Sequence, residues 1–230
     1  MALSSSVAVA SASTVCPEAR ISDEVLDLVA IYEPDVNLAI WRGALQQCLG
    51  RKELWQLHNS LCALLTQQPG FRLGMMLPPE ELLATLPSLL ESSWPAELPG
   101  RSSLQEYLLT SVELFAGLFE PEAMALRLQS LRTAMCPRFH VDHVPVRLVS
   151  TLLGPATEWL PEYAVEREAL GASAQEPCRD ANAIQRMNRG DLALLKGEGW
   201  IGNQGAALVH RSPAVAGEPR LFLSIDFAKL

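Results

Sequence analysis

Apolar residues recur at helical spacing through much of the first 135 residues. Leu54, Leu57, Leu61 and Leu64 form one stripe. Leu104, Leu108, Val112, Phe115 and Phe119 form a second, and Met124, Leu128, Leu131 and Met135 a third. Steps of three and four predict helices with one buried face. Ser22-Asp-Glu ahead of Val25, Leu26, Leu28 and Val29 reads as a helix start, as does Pro79-Glu-Glu, with proline in the first turn and acids at the positive end of the dipole. Residues 36–41 instead alternate, which predicts a strand, and residues 43–47 a helix after it. Pro95, Pro99 and Gly100 mark residues 94–101 as a loop.

Beyond Cys136 the pattern changes to short runs punctuated by Gly and Pro. Residues 144–153 are β-branched and apolar and end at Gly154-Pro155; residues 156–160, 191–196, 206–210 and 221–227 read as further strands. Such a series predicts a β-sandwich or jelly roll. Residues 161–182, rich in Glu, Ala and Ser, read as a long functional or disordered loop. The expected fold class is α+β: a flexible leader over residues 1–20, a mainly helical region over 21–135, and a β-domain over 136–230 on which the helices pack.

Composition narrows the function. With 230 residues and 49% hydrophobic content, the chain can bury a full core and is not disordered. A net charge of -8 excludes a general nucleic-acid binder but leaves room for a small anionic ligand in a local basic pocket. The five cysteines form no CxxC pair, so neither a disulfide framework nor a zinc ribbon is signalled. Residues 1–15 lack a basic n-region and a long apolar core, and no run approaches the ~20 apolar residues of a membrane span. A cytoplasmic protein without a membrane partner is expected. GxSxG, GxxxxGK[ST] and GxGxxG are all absent, which removes support for serine hydrolase, P-loop and Rossmann readings.

Chemistry concentrates in the second half, where three of the four histidines lie. In His140-Val141-Asp142 the two polar side chains share one strand face, and His210 ends a predicted strand downstream. Two imidazoles and a carboxylate form the facial triad that holds Fe(II) and leaves positions open. Cys136 and His143 offer an alternative, a zinc cluster with His140 and Asp142. A structural His140–Asp142 pair without metal, and Arg220 paired to Glu218 or Asp226, are the blander readings. Arg147, Arg211 and Trp159 are candidates to face a substrate, and charges at a strand edge are the plain reading of the two arginines.

The ordered set His140-Val-Asp142, Arg147-Leu-Val-Ser-Thr151, Thr157-Glu-Trp-Leu-Pro161, Gly190-Asp191-Leu-Ala-Leu-Leu195 and Val209-His210-Arg-Ser-Pro213 with Gly217 and Arg220 resembles the core of prolyl-hydroxylase-like Fe(II)/2-oxoglutarate dioxygenases. It covers residues 138–228, while the whole chain resembles an uncharacterised bacterial domain family. The resemblance implies a double-stranded β-helix, a cupin-like jelly roll, with His140, Asp142 and His210 on iron. It also implies that Arg220 anchors the distal carboxylate of 2-oxoglutarate, with a hydroxyl beside it from Ser150, Thr151 or Ser224. The implied reaction is oxidative decarboxylation of 2-oxoglutarate to succinate and CO2, coupled to hydroxylation of a small molecule or a protein side chain. Lys196 departs from the family pattern, which has a bulky apolar residue there. Zinc handling by a cupin-like protein, and a non-catalytic barrel used as an interaction module, remain the alternatives.

Overall fold

The computed structural model describes residues 16–171, 176–215 and 217–229. Most of the leader, and residues 172–175 of the long loop, lie outside the described residues. Ten strands form two sheets. Strands β1 (Glu18–Ser22), β2 (Val36–Trp41), β3 (Arg72–Leu77), β4 (Ala123–Leu131), β5 (Val146–Leu153), β8 (Leu192–Lys196) and β10 (Arg220–Ala228) build the larger one. Its order is β1-β2-β8-β5-β10-β4-β3, and only the β1–β2 pair is parallel. Strands β6 (Glu158–Trp159), β7 (Gln185–Arg186) and β9 (His210–Arg211) form a small antiparallel sheet with β6 in the middle.

Each face of the larger sheet is covered by something different. Leu126, Leu128, Leu148, Leu192, Leu194, Leu221, Leu223 and Ile225 pack into one core with the buried stripes of α2 (Arg51–Gln67), α3 (Pro79–Ser93) and α4 (Arg101–Phe119). Leu38, Ile40, Val149, Ala193 and Leu195 turn to the other face and meet Ala156, Trp159, Met187 and Leu208 around the small sheet. This double coverage explains why the central strands read as nearly continuous apolar runs. Buried Tyr107 of α4 shares a 2.7 Å hydrogen bond with Ser150, tying the helical layer to β5.

The expected helical region is therefore mixed: four of the seven strands come from before residue 136. The predicted strand at 36–41 and the helix after it stand as β2 and α1 (Ala44–Cys48), α2 and α4 carry their predicted stripes, and α3 begins at the Pro79-Glu-Glu start. The stretch from Met124 is not a helix. It alternates with period two as β4, Met124, Leu126 and Leu128 meeting the helices while Arg127 points the other way to Asp226. Residues 25–32 wind as a 3-10 helix rather than an α-helix. The long loop is pinned by a bridge between Val165 and Cys178, and Val165 packs with Phe139, Leu160 and Val209.

Lys196, at the end of β8, is buried, donates to the Glu33 carbonyl at 2.9 Å and lies 4.9 Å from the Trp200 ring. Burial pulls its ammonium down from 10.5 to about 8, against the weaker opposing pull of Asp35 and Glu33. Between these values the unfolded chain holds a proton that the folded chain has released, so stability rises with pH across that window and the penalty is fully present below it. The Glu33 carbonyl also accepts from the Val36 amide, so it keeps a partner if the lysine is lost. Lys196→Met is expected to raise the melting temperature at pH 7 by roughly 2–4 °C, the shift that about 1 kcal/mol gives a chain of this size. That gain should shrink between pH 8 and 10.5; thermal melts at the two ends of the window check both statements.

Candidate metal centre

The two histidines meet through their backbones first. His140 and His210 form an antiparallel bridge, each amide donating to the other's carbonyl at 3.0 Å. Residues opposite one another in such a pair send their side chains to the same face, and the ring centroids lie 4.5 Å apart. On the far side of β9, His210 pairs with Trp159, so the small sheet holds it in register. Asp142 brings its carboxylate to 3.9 Å from His140 Nε2 and 3.5 Å from His210 Nε2. Among the described residues this is the grouping able to hold an ion, its three donor atoms within 4.8 Å of one another. Cys136 and His143 do not join it.

Both imidazoles are set for ligation. His140 Nδ1 lies 3.0 Å from the Arg138 carbonyl and His210 Nδ1 3.2 Å from the Leu208 carbonyl. A carbonyl only accepts, so each Nδ1 carries a proton, and each Nε2, turned toward Asp142, is the nitrogen left to face an ion. His210 is held neutral: burial pushes it down to about 4, Asp142 opposing and His140 assisting that shift. Donors bound to one ion at cis positions sit about 3 Å apart, so these atoms need only small movements to converge. With three protein ligands, the rest of an octahedron stays open.

Asp142 is positioned by two features. The turn after β8 lies against its backbone: the Glu198 amide donates to the Asp142 carbonyl at 2.8 Å and the Gly197 amide to the Pro145 carbonyl at 2.9 Å. A Cβ at Gly197 would fall 2.2 Å from the Val144 carbonyl oxygen and 2.7 Å from that of Asp142, so only glycine allows this approach. From the other side Arg147 Nη1 donates to both Asp142 oxygens at 2.9 Å.

Arg220, the first residue of β10, is only 1% exposed. Its guanidinium donates to Ser212 Oγ at 3.1 Å, Thr151 Oγ1 at 3.2 Å and Thr157 Oγ1 at 2.8 Å, and it stacks 4.2 Å from the Phe222 ring. Its Nε has no partner, and no carboxylate pairs with it among the described residues. Burial alone lowers its affinity for the proton, to a pKa of about 10, and it stays charged at neutral pH. Ser212 stands two residues after His210, and Thr157 two before Trp159, the register partner of His210. Ser212, two residues on from His210, would share its strand face, which brings the buried cation to the face of the candidate donor His210.

Of the expected hydroxyls, Thr151 is in place and Ser150 bonds Tyr107 instead. Ser224 shares the strand face of Arg220 but lies about 13 Å along it, at ~3.3 Å per residue, and makes no bond to it. Ser212 and Thr157 were not anticipated as partners, although the two-residue step from His210 to Ser212 is the same signal that joins His140 to Asp142. The arginines proposed to face a substrate are engaged with acids. Arg147 binds Asp142 and Asp226, and Arg211 donates to Glu158 at 2.8 Å while lying 4.2 Å from the Phe139 ring. Burial would raise the Glu158 carboxyl, but hydrogen bonds from Arg186 and Arg211 outweigh it and hold the group below the ordinary carboxylate range. Trp159 is buried between the sheets. Arg220 pairs with neither Glu218 nor Asp226; Asp226 lies six residues further along the same strand, roughly 20 Å away, and accepts from Arg127 and Arg147.

Residues 22–226 match the family described as "Protein of unknown function (DUF1826)", and the chain belongs to that family. No curated protein matches the sequence. The fold is similar to that of a rice dioxygenase for auxin oxidation, with a TM-score of 0.51 and 11% identity over 92% of this chain and 82% of that one. An Arabidopsis thaliana dioxygenase for auxin oxidation, solved as a binary complex with 2-oxoglutarate, aligns at a TM-score of 0.46 and 11% identity over 93% of each chain. A Pseudomonas putida prolyl-4-hydroxylase aligns at 0.47 and 11%, over 90% of this chain and 100% of that one.

Gly197→Ala is expected to cost about 2–4 kcal/mol, because the new methyl overlaps backbone that cannot rotate away, and to weaken divalent-metal binding through displacement of Asp142. Gly117 of α4 has nothing within 4 Å of a built Cβ, so Gly117→Ala should stabilise by about 0.5–1 kcal/mol. Denaturant melts of both variants, with Co(II) titration of Gly197→Ala, check this contrast.

Proposed function

We propose that this DUF1826 protein is an Fe(II)- and 2-oxoglutarate-dependent oxygenase, a hydroxylase, in which His140, Asp142 and His210 hold the metal and Arg220 anchors the cosubstrate. The observation that carries the reading is the buried guanidinium of Arg220, solvated by three hydroxyls and without a carboxylate partner among the described residues, one of those hydroxyls standing two residues from His210 of a His–Asp–His cluster. A buried cation without a counter-ion is unfavourable, and a carboxylate taking two parallel hydrogen bonds from it relieves that penalty. The likeness in fold to a dioxygenase agrees with this reading.

With iron and 2-oxoglutarate bound, the site would supply dioxygen activation, decarboxylation of the cosubstrate to succinate and CO2, and transfer of one oxygen atom to a C–H bond. The chain's own contribution is arrangement. The two imidazoles each present Nε2 and Asp142 its carboxylate. Arg220, with the hydroxyls of Thr151, Thr157 and Ser212 on it, offers a buried cation, where a charge-assisted bond is worth more than in water. The His140 side chain is 33% exposed while that of His210 is 8% exposed, so the centre opens on the His140 side, where a substrate would approach. Zinc handling through Cys136 or His143 is less well supported, since neither lies in the cluster and neither gives Arg220 a role.

Anaerobic addition of Fe(II) and then 2-oxoglutarate is expected to produce the visible charge-transfer band of the chelate. Arg220→Met should weaken 2-oxoglutarate binding by roughly 30-fold or more, in line with the 2–5 kcal/mol lost when one side of a buried charge pair is removed. Iron affinity should stay within about twofold, because the substitution leaves the three metal donors untouched. The metal-free variant should melt no lower than the wild type, since a buried charge has been removed. Unchanged 2-oxoglutarate affinity in Arg220→Met would sink the assignment.

A further inference from the structure

We infer that Arg147 is a positioning residue of the metal centre, locking the Asp142 carboxylate in its orientation and itself locked by Asp226; the inference rests on the metal reading given above. Arg147 lies on β5, directly opposite Asp226 on β10. Its Nε donates to Asp226 Oδ1 at 2.5 Å, and its Nη1 reaches both oxygens of Asp142 at 2.9 Å. Asp226 Oδ2 accepts from Arg127 Nη1 on β4, the next strand, at 2.8 Å. The result is a row of four alternating charges, Asp142–Arg147–Asp226–Arg127, across three adjacent strands. The two acids are 11% and 6% exposed at their side chains, and Arg147 28%.

Three features separate this row from an ordinary ion pair. One end of it is a metal donor, whose carboxylate is turned to the Nε2 atoms of both histidines. The middle cation is held by two acids at once through different nitrogens, so the plane of its guanidinium is set before any ion arrives. The chain is electrically balanced, two cations against two anions, so holding Asp142 leaves no net charge behind. A carboxylate tethered in this way cannot swing away from the imidazoles, and the orienting cost is met on folding rather than on metal binding. Outer contacts of this kind usually contribute 10- to 100-fold in metal affinity.

The test uses the full chain and Co(II), read by calorimetry and by the visible bands that report coordination geometry, with a thermal melt on every sample. Arg147→Met is expected to weaken Co(II) binding about 10- to 100-fold and to shift the bands. Arg147→Lys should recover part of the affinity, because an ammonium keeps the charge but cannot span both acids in fixed geometry. Asp226→Asn should give a smaller loss, since Arg147 still reaches Asp142, and Arg127→Met at the outer end a smaller loss still. Wild-type affinity and bands in Arg147→Met would overturn the inference and leave the oxygenase reading standing. Should Arg147→Met not fold, unchanged binding and bands in both Arg147→Lys and Asp226→Asn would overturn it equally. A wild-type chain that takes up no Co(II) would overturn the metal reading and this inference together.

Discussion

A strand buried on both faces has no solvent in which to place a charge, and β10 carries two. Leu221, Leu223 and Ile225 fill its helix-facing side, while Arg220, Ser224 and Asp226 line the other. Desolvating an ion costs several kcal/mol unless partners replace the lost water. Asp226 is compensated within the protein by two arginines, and Arg220 only in part, by hydroxyls. The same strand thus holds one charge paired within the fold and one that, among the described residues, has no carboxylate partner. Residues that merely stabilise a sheet have no reason to be incomplete, which makes the unbalanced end the informative one.

The rest of the architecture serves precise backbone placement around that strand. Gly197 lets the turn after β8 lie against Asp142, and Gly154, at φ +79, sits where a Cβ would come within 2.7 Å of the Pro219 carbonyl oxygen and 3.0 Å of Arg220 Cα. Both contacts join a loop to the backbone beside a side chain of the proposed site, so main-chain packing places the Asp142 and Arg220 backbones before side-chain contacts orient the groups they carry. The His140–His210 bridge applies the same logic to the imidazoles. Precision of this kind comes from rigid elements and is difficult to obtain from free loops.

Much of this was legible in the sequence, and the failures have physical causes. The stripes of α2 and α4, the strand at β2 and the runs at β5, β8 and β10 are strong periodic signals. Met124, Leu128 and Leu131 satisfy helical spacing, but the intervening Leu126 also satisfies alternation, and tertiary burial on both faces decides for the strand. Strand β3 carries Gly74 and lies just before the prolines at 78 and 79, so its local signal is weak. The His-x-Asp pair and its distant histidine were visible through the two-residue spacing that gives a shared face in a strand, although Asp142 lies beyond the His140 bridge and outside any strand. Ser224 shows the limit of that rule, since a shared face says nothing about reach. Arg147 was read as facing a substrate because its partner Asp226 is 79 positions away and no local pattern connects them.

The bridge between His140 and His210 also has a meaning for the order in which the molecule is made. It closes about 70 residues of intervening chain, an entropic debt settled only when most long-range pairings are in place. A ribosome-bound chain that has emerged as far as β8 owns two of the three donors, His140 and Asp142, and neither the third nor Arg220. The centre is therefore a late product of folding, assembled when β9 and β10 dock. An ion captured at that moment would act as a latch on the last strands to arrive, coupling cofactor acquisition to completion of the sheet.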